Sequence, residues 1–295
     1  MVKIIFTDVD GTLFDSASAL SKVNLNACLK AHKNNIKVVI NTGRYGENAI
    51  RVGEMINAEK YNGYIIGNDG AEIWSFEKQE WIYLQQLTQT DTTKLYKFLT
   101  NYNDKMILHF NSIDTLYVNH AANSWGKWVE NLQIKIVQLK DFKDITMPIS
   151  KIMVILEKYL LSENIAKFIS AFKSEFPHLT IVQYHTNVFS IGVKDISKGS
   201  AVQWLCNLLE IDTKDALTIG NGFNDLPMFE ISGHPIVMEN ANIALKPFGK
   251  IISPSNDDHG VGHIINKAFL PLCTIFKFYH INAEKSLSTD FSPHF

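Results

Sequence analysis

The sequence is short of cysteine, of long apolar runs and of charge of either sign. Its three cysteines, Cys28, Cys206 and Cys273, are odd in number, widely spaced and set in apolar helical text. Neither a disulfide framework nor a zinc site is indicated, and all three read as buried free thiols. Apolar stretches such as Ala268 to Phe276, which holds Pro271, reach about half of the roughly 20 residues that span a bilayer. No membrane partner is expected. Met-Val-Lys followed at once by Ile4-Ile5-Phe6 and then Asp8 does not make a secretory signal, so the cytoplasm is the expected compartment. Lys and Arg number 28 against 30 Asp and Glu, a formal net charge of −2 without a block of like charge, which gives a nucleic-acid partner no electrostatic support. Internal repeats and low-complexity tracts are also missing.

What is present is an ordinary globular balance, 46% hydrophobic and 20% charged over 295 residues, enough for two domains of about 150 residues or one large one. Val2 to Thr7 is a short β-branched run that stops at Asp8, Asp10 and Gly11, as a buried parallel strand ending in a loop would. A helix over Leu20 to Asn34, a strand over Lys37 to Ile40, a helix from Glu47 to Ile56 and a strand from Tyr64 to Ile66 continue the alternation, which predicts a right-handed parallel α/β sheet. The rhythm then changes to a hairpin (Glu72 to Trp74, Trp81 to Tyr83) and a mixture of strands and helices that includes a helix near Ser124 to Asn131. Alternation resumes at Lys198. The expected organisation is therefore a discontinuous α/β domain over 1 to 86 and 189 to 270, an inserted α+β unit over 87 to 188, and an extension over 271 to 295 with no assigned role.

Ligands of open α/β sheets bind at the carboxyl ends of the strands, and four polar clusters fall at such ends. Asp8 and Asp10, two apart just past a strand, form an oxygen-rich pair of the sort Mg²⁺ takes. One such carboxylate can attack a phosphoryl group and the other can serve as acid and base. Thr42 and Gly43 offer a hydroxyl and a backbone N–H near a helix start, a cradle for phosphate oxygens or, alternatively, a simple helix cap. Lys198 opens a helix, where a cation is unfavourable for the macrodipole, so it serves an anion nearby or else is a solvated surface lysine. Gly220-Asn221-Gly222-Phe223-Asn224-Asp225 presents three oxygen-bearing side chains in one turn. His259 and His263 are four apart, but Gly260 and Gly262 between them spoil a helix. Trp125 and Trp128 read as helix-face packing rather than a stacking platform.

Asp8-Val9-Asp10-Gly11-Thr12-Leu13, Thr42-Gly43-Arg44, Ile196-Ser197-Lys198-Gly199 and Gly220 through Met228 resemble, in order and spacing, the four motifs of the haloacid dehalogenase (HAD) superfamily. Within it the sequence is most similar to the Cof-type class IIB sugar-phosphate phosphatases, whose text also resembles Asp69-Gly70-Ala71, Glu239-Asn240-Ala241 and Asp258-His259-Gly260-Val261. The resemblance implies a Rossmann-like parallel-sheet core with the insert as a cap that sets substrate specificity. It implies Asp8 as nucleophile and Asp10 as general acid and base. Mg²⁺ would be held by the Asp8 and Asp10 carboxylates, the Val9 carbonyl and the side chain of Asn221. Thr42, Gly43, Lys198 and Asn224 would grip the phosphoryl group, and Asp225 would steady Lys198. Two positions depart from the family's pattern: Asn221 stands where it usually has Asp, and Asp69 where it tends to have Asn. The expected activity is a Mg²⁺-dependent phosphatase acting through an aspartyl-phosphate on small phosphorylated metabolites, most of all sugar phosphates. A phospholigand-binding regulatory protein with little turnover, suggested by Asn221, and a phosphomutase are the alternatives.

Overall fold

The computed structural model describes residues 2–102, 106–119, 135–156, 162–185 and 187–268. The helix expected near Ser124 to Asn131, with Trp125 and Trp128, lies outside the described residues, as do Cys273 and the extension 271 to 295.

Fourteen strands are described, in two sheets. The first contains β1 (Ile4–Thr7), β2 (Lys37–Asn41), β3 (Tyr64–Gly67), β4 (Glu72–Ser75) and β5 (Glu80–Leu84). The second is built from β6 (Ile107–Asn111), β7 (Thr115–Val118), β8 (Lys135–Gln138), β9 (Lys151–Ile155), β10 (Leu179–His185) and β11 (Val188–Val193). The chain then returns to the first sheet with β12 (Ala216–Gly220), β13 (His234–Met238) and β14 (Ile251–Ser253). The helices are α1 (Lys22–Lys33), α2 (Gly46–Met55), α3 (Gln89–Tyr102), α4 (Ser162–Glu175), α5 (Lys198–Leu208), α6 (Leu226–Ile231) and α7 (Gly260–Ala268).

The first sheet runs β14-β13-β12-β1-β2-β3-β4-β5. It is parallel from β14 to β3 and closes with an antiparallel β3-β4-β5 meander. Its central strands are buried on both faces, which is why they read as unbroken apolar text. Ile5, Val38 and Ile40 face one apolar cluster with Ala27, Cys28 and Ile264 of the helices on that side. Ile4, Phe6 and Val39 face the opposite cluster with Val202, Leu205 and Met228. The two-residue period of a strand thus separates two helical layers.

The second sheet, ordered β10-β11-β9-β6-β7-β8, is antiparallel except for the β7–β8 pair. One face packs on α3 and α4 through Phe110, Ile152, Val154, Leu99, Phe168 and Phe172. The boundary expected at 189 is corrected here. Val188–Val193 pairs with β9 and β10, not with the first sheet, so the core resumes only after Val193. The run Val-Phe-Ser-Ile is apolar enough for either sheet, and only its pairing partners decide. Strand β8 was not legible, since Lys135–Gln138 is largely exposed at a sheet edge. The expectation that Gly260 and Gly262 spoil a helix is also overturned. Both lie in α7, where a Cβ on Gly262 would press on Asn24 Oδ1 at 2.9 Å, so close approach to α1 outweighs the weak propensity. Cys28 and Cys206 are buried free thiols, and burial pushes the Cys28 thiol up to about 12.

Candidate active site

The four clusters meet at the carboxyl ends of β1, β2 and β12 and at the start of α5. The backbone N–H of Asp8 donates to Ile219 O at 2.9 Å, extending the β1–β12 ladder and fixing Asp8 at the sheet's edge. Beyond it the chain coils tightly over Val9–Leu13 with Gly11 at φ +74°, and the Asn221 amide occupies the space a Cβ there would need. Thr12 Oγ1 donates to Asn221 Oδ1 at 3.0 Å, tying the first cluster to the last.

Lys198 sits at the start of α5 behind the N-cap Ser197, fully buried. Its Nζ donates to Asp8 Oδ1 at 2.6 Å and to Asp225 Oδ1 at 2.5 Å. Asp225, also buried, accepts the Asn221 and Gly222 backbone N–H groups at 2.8 Å each through its other oxygen. The anion inferred from a lysine at a helix N-terminus is thus a pair of carboxylates. Burial pushes the Asp8 carboxyl up to about 7 against the pull of the Lys198 ammonium. Burial works to lower the Lys198 ammonium too, but Asp225 and Asp8 outweigh it and hold that group above its ordinary value.

Asp10 is held differently. Arg44 Nε donates to Asp10 Oδ2 at 2.8 Å and Arg44 Nη2 to Oδ1 at 2.6 Å, a two-pronged fork. Thr42 is buried and its Oγ1 accepts the Arg44 backbone N–H at 3.1 Å. Asn224 Nδ2 donates to Asp69 Oδ1 at 2.9 Å. Asp69 in turn accepts from Lys151 Nζ at 2.6 Å and from the Tyr184 hydroxyl, both on the second sheet, and Lys151 Nζ also donates to Gly43 O at 2.8 Å. Burial would raise the Asp69 carboxyl, but Lys151 and then Lys198 hold it down at about 2.

A cavity of about 490 Å³ lies between the two sheets, with Asp8, Asp10, Thr42, Gly43, Asn221 and Asn224 on its core side. Among the described residues no group of three His, Cys, Asp or Glu side chains is set to hold a metal. Asp8, Asp10 and Asn221 nevertheless bring oxygen-bearing side chains to one cavity, and an all-oxygen set fits a hard divalent cation such as Mg²⁺. The Val9 carbonyl accepts the Phe14 backbone N–H at 2.9 Å inside the coil. The sequence reading missed three residues. Arg44 lay inside a quoted motif without a role, whereas Lys151 and Tyr184 sit in apolar strand text whose facing partner only the fold reveals.

The family model described as haloacid dehalogenase-like hydrolase matches residues 5–265. A Streptococcus pyogenes protein provisionally named a phosphatase is 29% identical over 90% of this chain and 98% of its own length. The 5-amino-6-(5-phospho-D-ribitylamino)uracil phosphatase YwtE of Bacillus subtilis is 28% identical over 90% of this chain and 98% of its own. A haloacid dehalogenase-like hydrolase from Bacteroides thetaiotaomicron superposes with a TM-score of 0.81 at 21% identity, covering 91% of this chain and all (100%) of its own. The HAD subclass IIB sugar phosphatase BT4131 gives 0.75 at 17% identity, covering 90% and 98%. With its four motif clusters gathered on one sheet edge and a family match that spans both sheets, the chain belongs to the haloacid dehalogenase-like hydrolases, as a phosphatase.

Proposed function

We propose that the protein is a Mg²⁺-dependent phosphomonoesterase for small phosphorylated metabolites, sugar phosphates among them, that works through an aspartyl-phosphate on Asp8. The observation that carries this reading is the buried Asp8–Lys198–Asp225 chain, whose Asp8 lines the cavity. Lys198 grips one Asp8 oxygen and leaves the other for attack on phosphorus. As that bond forms, the bond from phosphorus to the ester oxygen breaks, and Asp10 gives its proton to the departing alkoxide. Water then attacks the phosphorus, Asp10 takes its proton, and the bond to Asp8 breaks to release orthophosphate. Asp8, Asp10 and the Asn221 amide would hold the cation, which when bound neutralises charge on the phosphoryl oxygens.

Arg44 adds a condition. While both Asp10 oxygens accept from the guanidinium, Asp10 spends two of its lone pairs on Arg44 and none of them on substrate. A phosphate dianion competes for the same fork, so substrate arrival is what frees Asp10.

The test is hydrolysis of acetyl phosphate and a panel of phosphorylated metabolites with Mg²⁺ and with EDTA. Turnover should require the cation, and Asp8→Asn should lower it by at least about a thousandfold. Metal-independent turnover, or an Asp8→Asn variant as active as the wild type, overturns the mechanism. Asn221 favours the second reading, a phospholigand-binding protein. Tight phosphate-ester binding without release of phosphate would decide for it.

A further inference from the structure

Asp69 lies outside the wall of the large cavity, yet it holds three of the side chains that form that wall. Lys151, Tyr184 and Asn224 line both the large cavity and a smaller one of about 70 Å³, whereas Asp69 lines the smaller one alone. Its carboxylate therefore reaches the three donors from behind, on the side away from the space a substrate would fill. Asn224 Nδ2 donates to Asp69 Oδ1 at 2.9 Å, while Lys151 Nζ, at 2.6 Å, and the Tyr184 hydroxyl donate to Oδ2. A side-chain amide nitrogen carries two hydrogens. Asp69 takes one from Asn224 and leaves the second for a phosphoryl oxygen.

The backbone fixes where this carboxylate sits. Asn68 and Asp69 both take left-handed dihedrals, φ +47° and +56°, a conformation that costs free energy and persists where the surroundings over-determine it. The Asn68 N–H donates to Arg44 O at 2.7 Å and the Asp69 N–H to Thr42 O at 3.0 Å. Gly70 follows at φ +103°, and a Cβ on it would strike the carbonyl of Ser197, the N-cap of α5. The turn is thus tied to the Thr42 loop and to the helix that Lys198 opens, and the freedom left to the carboxylate is rotation about its Cβ–Cγ bond. On the cap side, Tyr184 is the extra residue of a bulge in β10, between the Gln183–Phe189 and His185–Val188 pairs. Such a bulge re-aims a side chain. Lys151 lies over the Tyr184 ring, 5.9 Å from its centroid, so the two cap donors arrive at Oδ2 together.

We propose that Asp69 is a positioning residue that couples cap docking to the aim of the Asn224 amide, so that the grip on the phosphoryl group is complete only when Lys151 and Tyr184 are seated on its carboxylate. The proposal deepens the phosphatase reading and rests on it. Without the two bonds to Oδ2 the carboxylate turns, and Asn224 turns with it.

The experiment measures orthophosphate binding to the full chain with Mg²⁺ by calorimetry and follows the Asn224 side-chain amide in ¹H–¹⁵N spectra. Tyr184→Phe removes only the hydroxyl that donates to Asp69. It should shift the Asn224 amide signal and weaken orthophosphate binding by about threefold or more, the worth of one hydrogen bond. In the Asp69→Gly and Asn224→Ala backgrounds the same substitution should change binding by less than about 1.5-fold, because the coupled partner is already gone. Equal factors in all three backgrounds mean that Tyr184 acts on the phosphate itself or not at all, and an unmoved Asn224 signal means that cap and amide are independent; either result overturns the proposal. If the wild type binds no orthophosphate and leaves acetyl phosphate and every ester intact, the phosphatase reading itself falls, a distinct result.

Discussion

Lys151, the first residue of a cap strand, and Asp69, in the core loop after β3, form a largely buried ion pair of 2.6 Å across the interface between the two units. Tyr184 donates to the same carboxylate from a second cap strand, so one core residue fastens two cap strands over the site. Breaking a buried pair costs roughly 3–5 kcal/mol when the remaining charge stays buried, and cap opening lets Lys151 regain water at lower cost. In Asp69→Asn the ligand-free protein should therefore populate more open forms, seen as a larger radius of gyration in small-angle scattering and faster proteolysis at the cap junctions. An unchanged scattering curve would show that this pair does not hold the cap.

Acid should act on the fold in two separate windows. Burial lowers His109, in the cap, and His32, in the core, to about 4 from an ordinary 6.5. The unfolded chain binds these protons first, so stability present above pH 6.5 is lost as pH falls from about 6.5 to 4. Asp69, held down at about 2 from 3.8, gives stability that is present above pH 3.8 and is lost only as pH falls toward 2. Thermal midpoints should thus decline between pH 6.5 and 4, by less than the two imidazoles alone would give, because Asp8, raised by burial to about 7, takes up its proton in the folded protein over the same range and stabilises it as pH falls. His109→Gln should flatten that decline while leaving the loss below pH 4 in place.

Lys198→Met should be costly twice over. It leaves the Asp8 and Asp225 carboxylates facing each other without the cation between them, a loss of roughly 3–5 kcal/mol. For a chain of this size that is about 10 °C in Tm. Calorimetry reads the first effect and acetyl phosphate turnover the second. Adding Asp225→Asn to Lys198→Met should recover part of the stability but none of the activity, because it removes a repelling charge and restores no grip on the phosphoryl group.

Asn221→Asp tests the fit of the cation. The Asn221 amide oxygen already accepts from Thr12 and offers a neutral ligand, whereas a carboxylate adds a full charge. Charge count tunes such sites, and about 1.4–2.8 kcal/mol in cation affinity corresponds to a ten- to hundredfold change. Half-saturation in a Mg²⁺ titration of activity should fall by that factor. Because Asn221 precedes Gly222, mass spectrometry of aged protein should check for deamidation that would mimic the variant.

Gly46 controls how near the cap can come. It lies at φ +43° at the start of α2, and a Cβ there would collide with the backbone carbonyl of Ile113 in the cap's β6–β7 turn. Glu47 N donates to that same carbonyl. Gly46→Ala should raise KM several-fold and open the cap, with far-UV circular dichroism unchanged. A variant with wild-type KM would mean that the turn yields without moving the sheet.

Much of this architecture could be read from the sequence, because buried parallel strands announce themselves as short apolar runs ending in polar clusters. Asp8, Thr42 and Asn224 sit where such runs stop, and Lys198 opens α5. The assignment failed where a residue's role depends on a partner far along the chain. Val188–Val193 has the composition of either sheet, and its pairing with Ile155 and neighbours settles the matter. Lys151 looks like an ordinary strand edge until Asp69, 82 residues away in sequence, is placed against it. Arg44 was in view, but its grip on Asp10 follows from the turn geometry of two loops and from no local pattern.

The single insertion of the cap also dictates an order of assembly. Strand β1 pairs with β2 after one helix, but its other neighbour begins at Ala216, opposite Ile4. Until that segment emerges from the ribosome, one flank of β1 has bare backbone donors and acceptors, and Asp8 lacks both Lys198 and Asp225. Among the described residues the cap strands pair with one another, within residues 107–193, so their loops are shorter and close at lower entropic cost. Vectorial synthesis should therefore deliver a folded cap on an unfinished core, with the catalytic aspartate the last part to gain its surroundings.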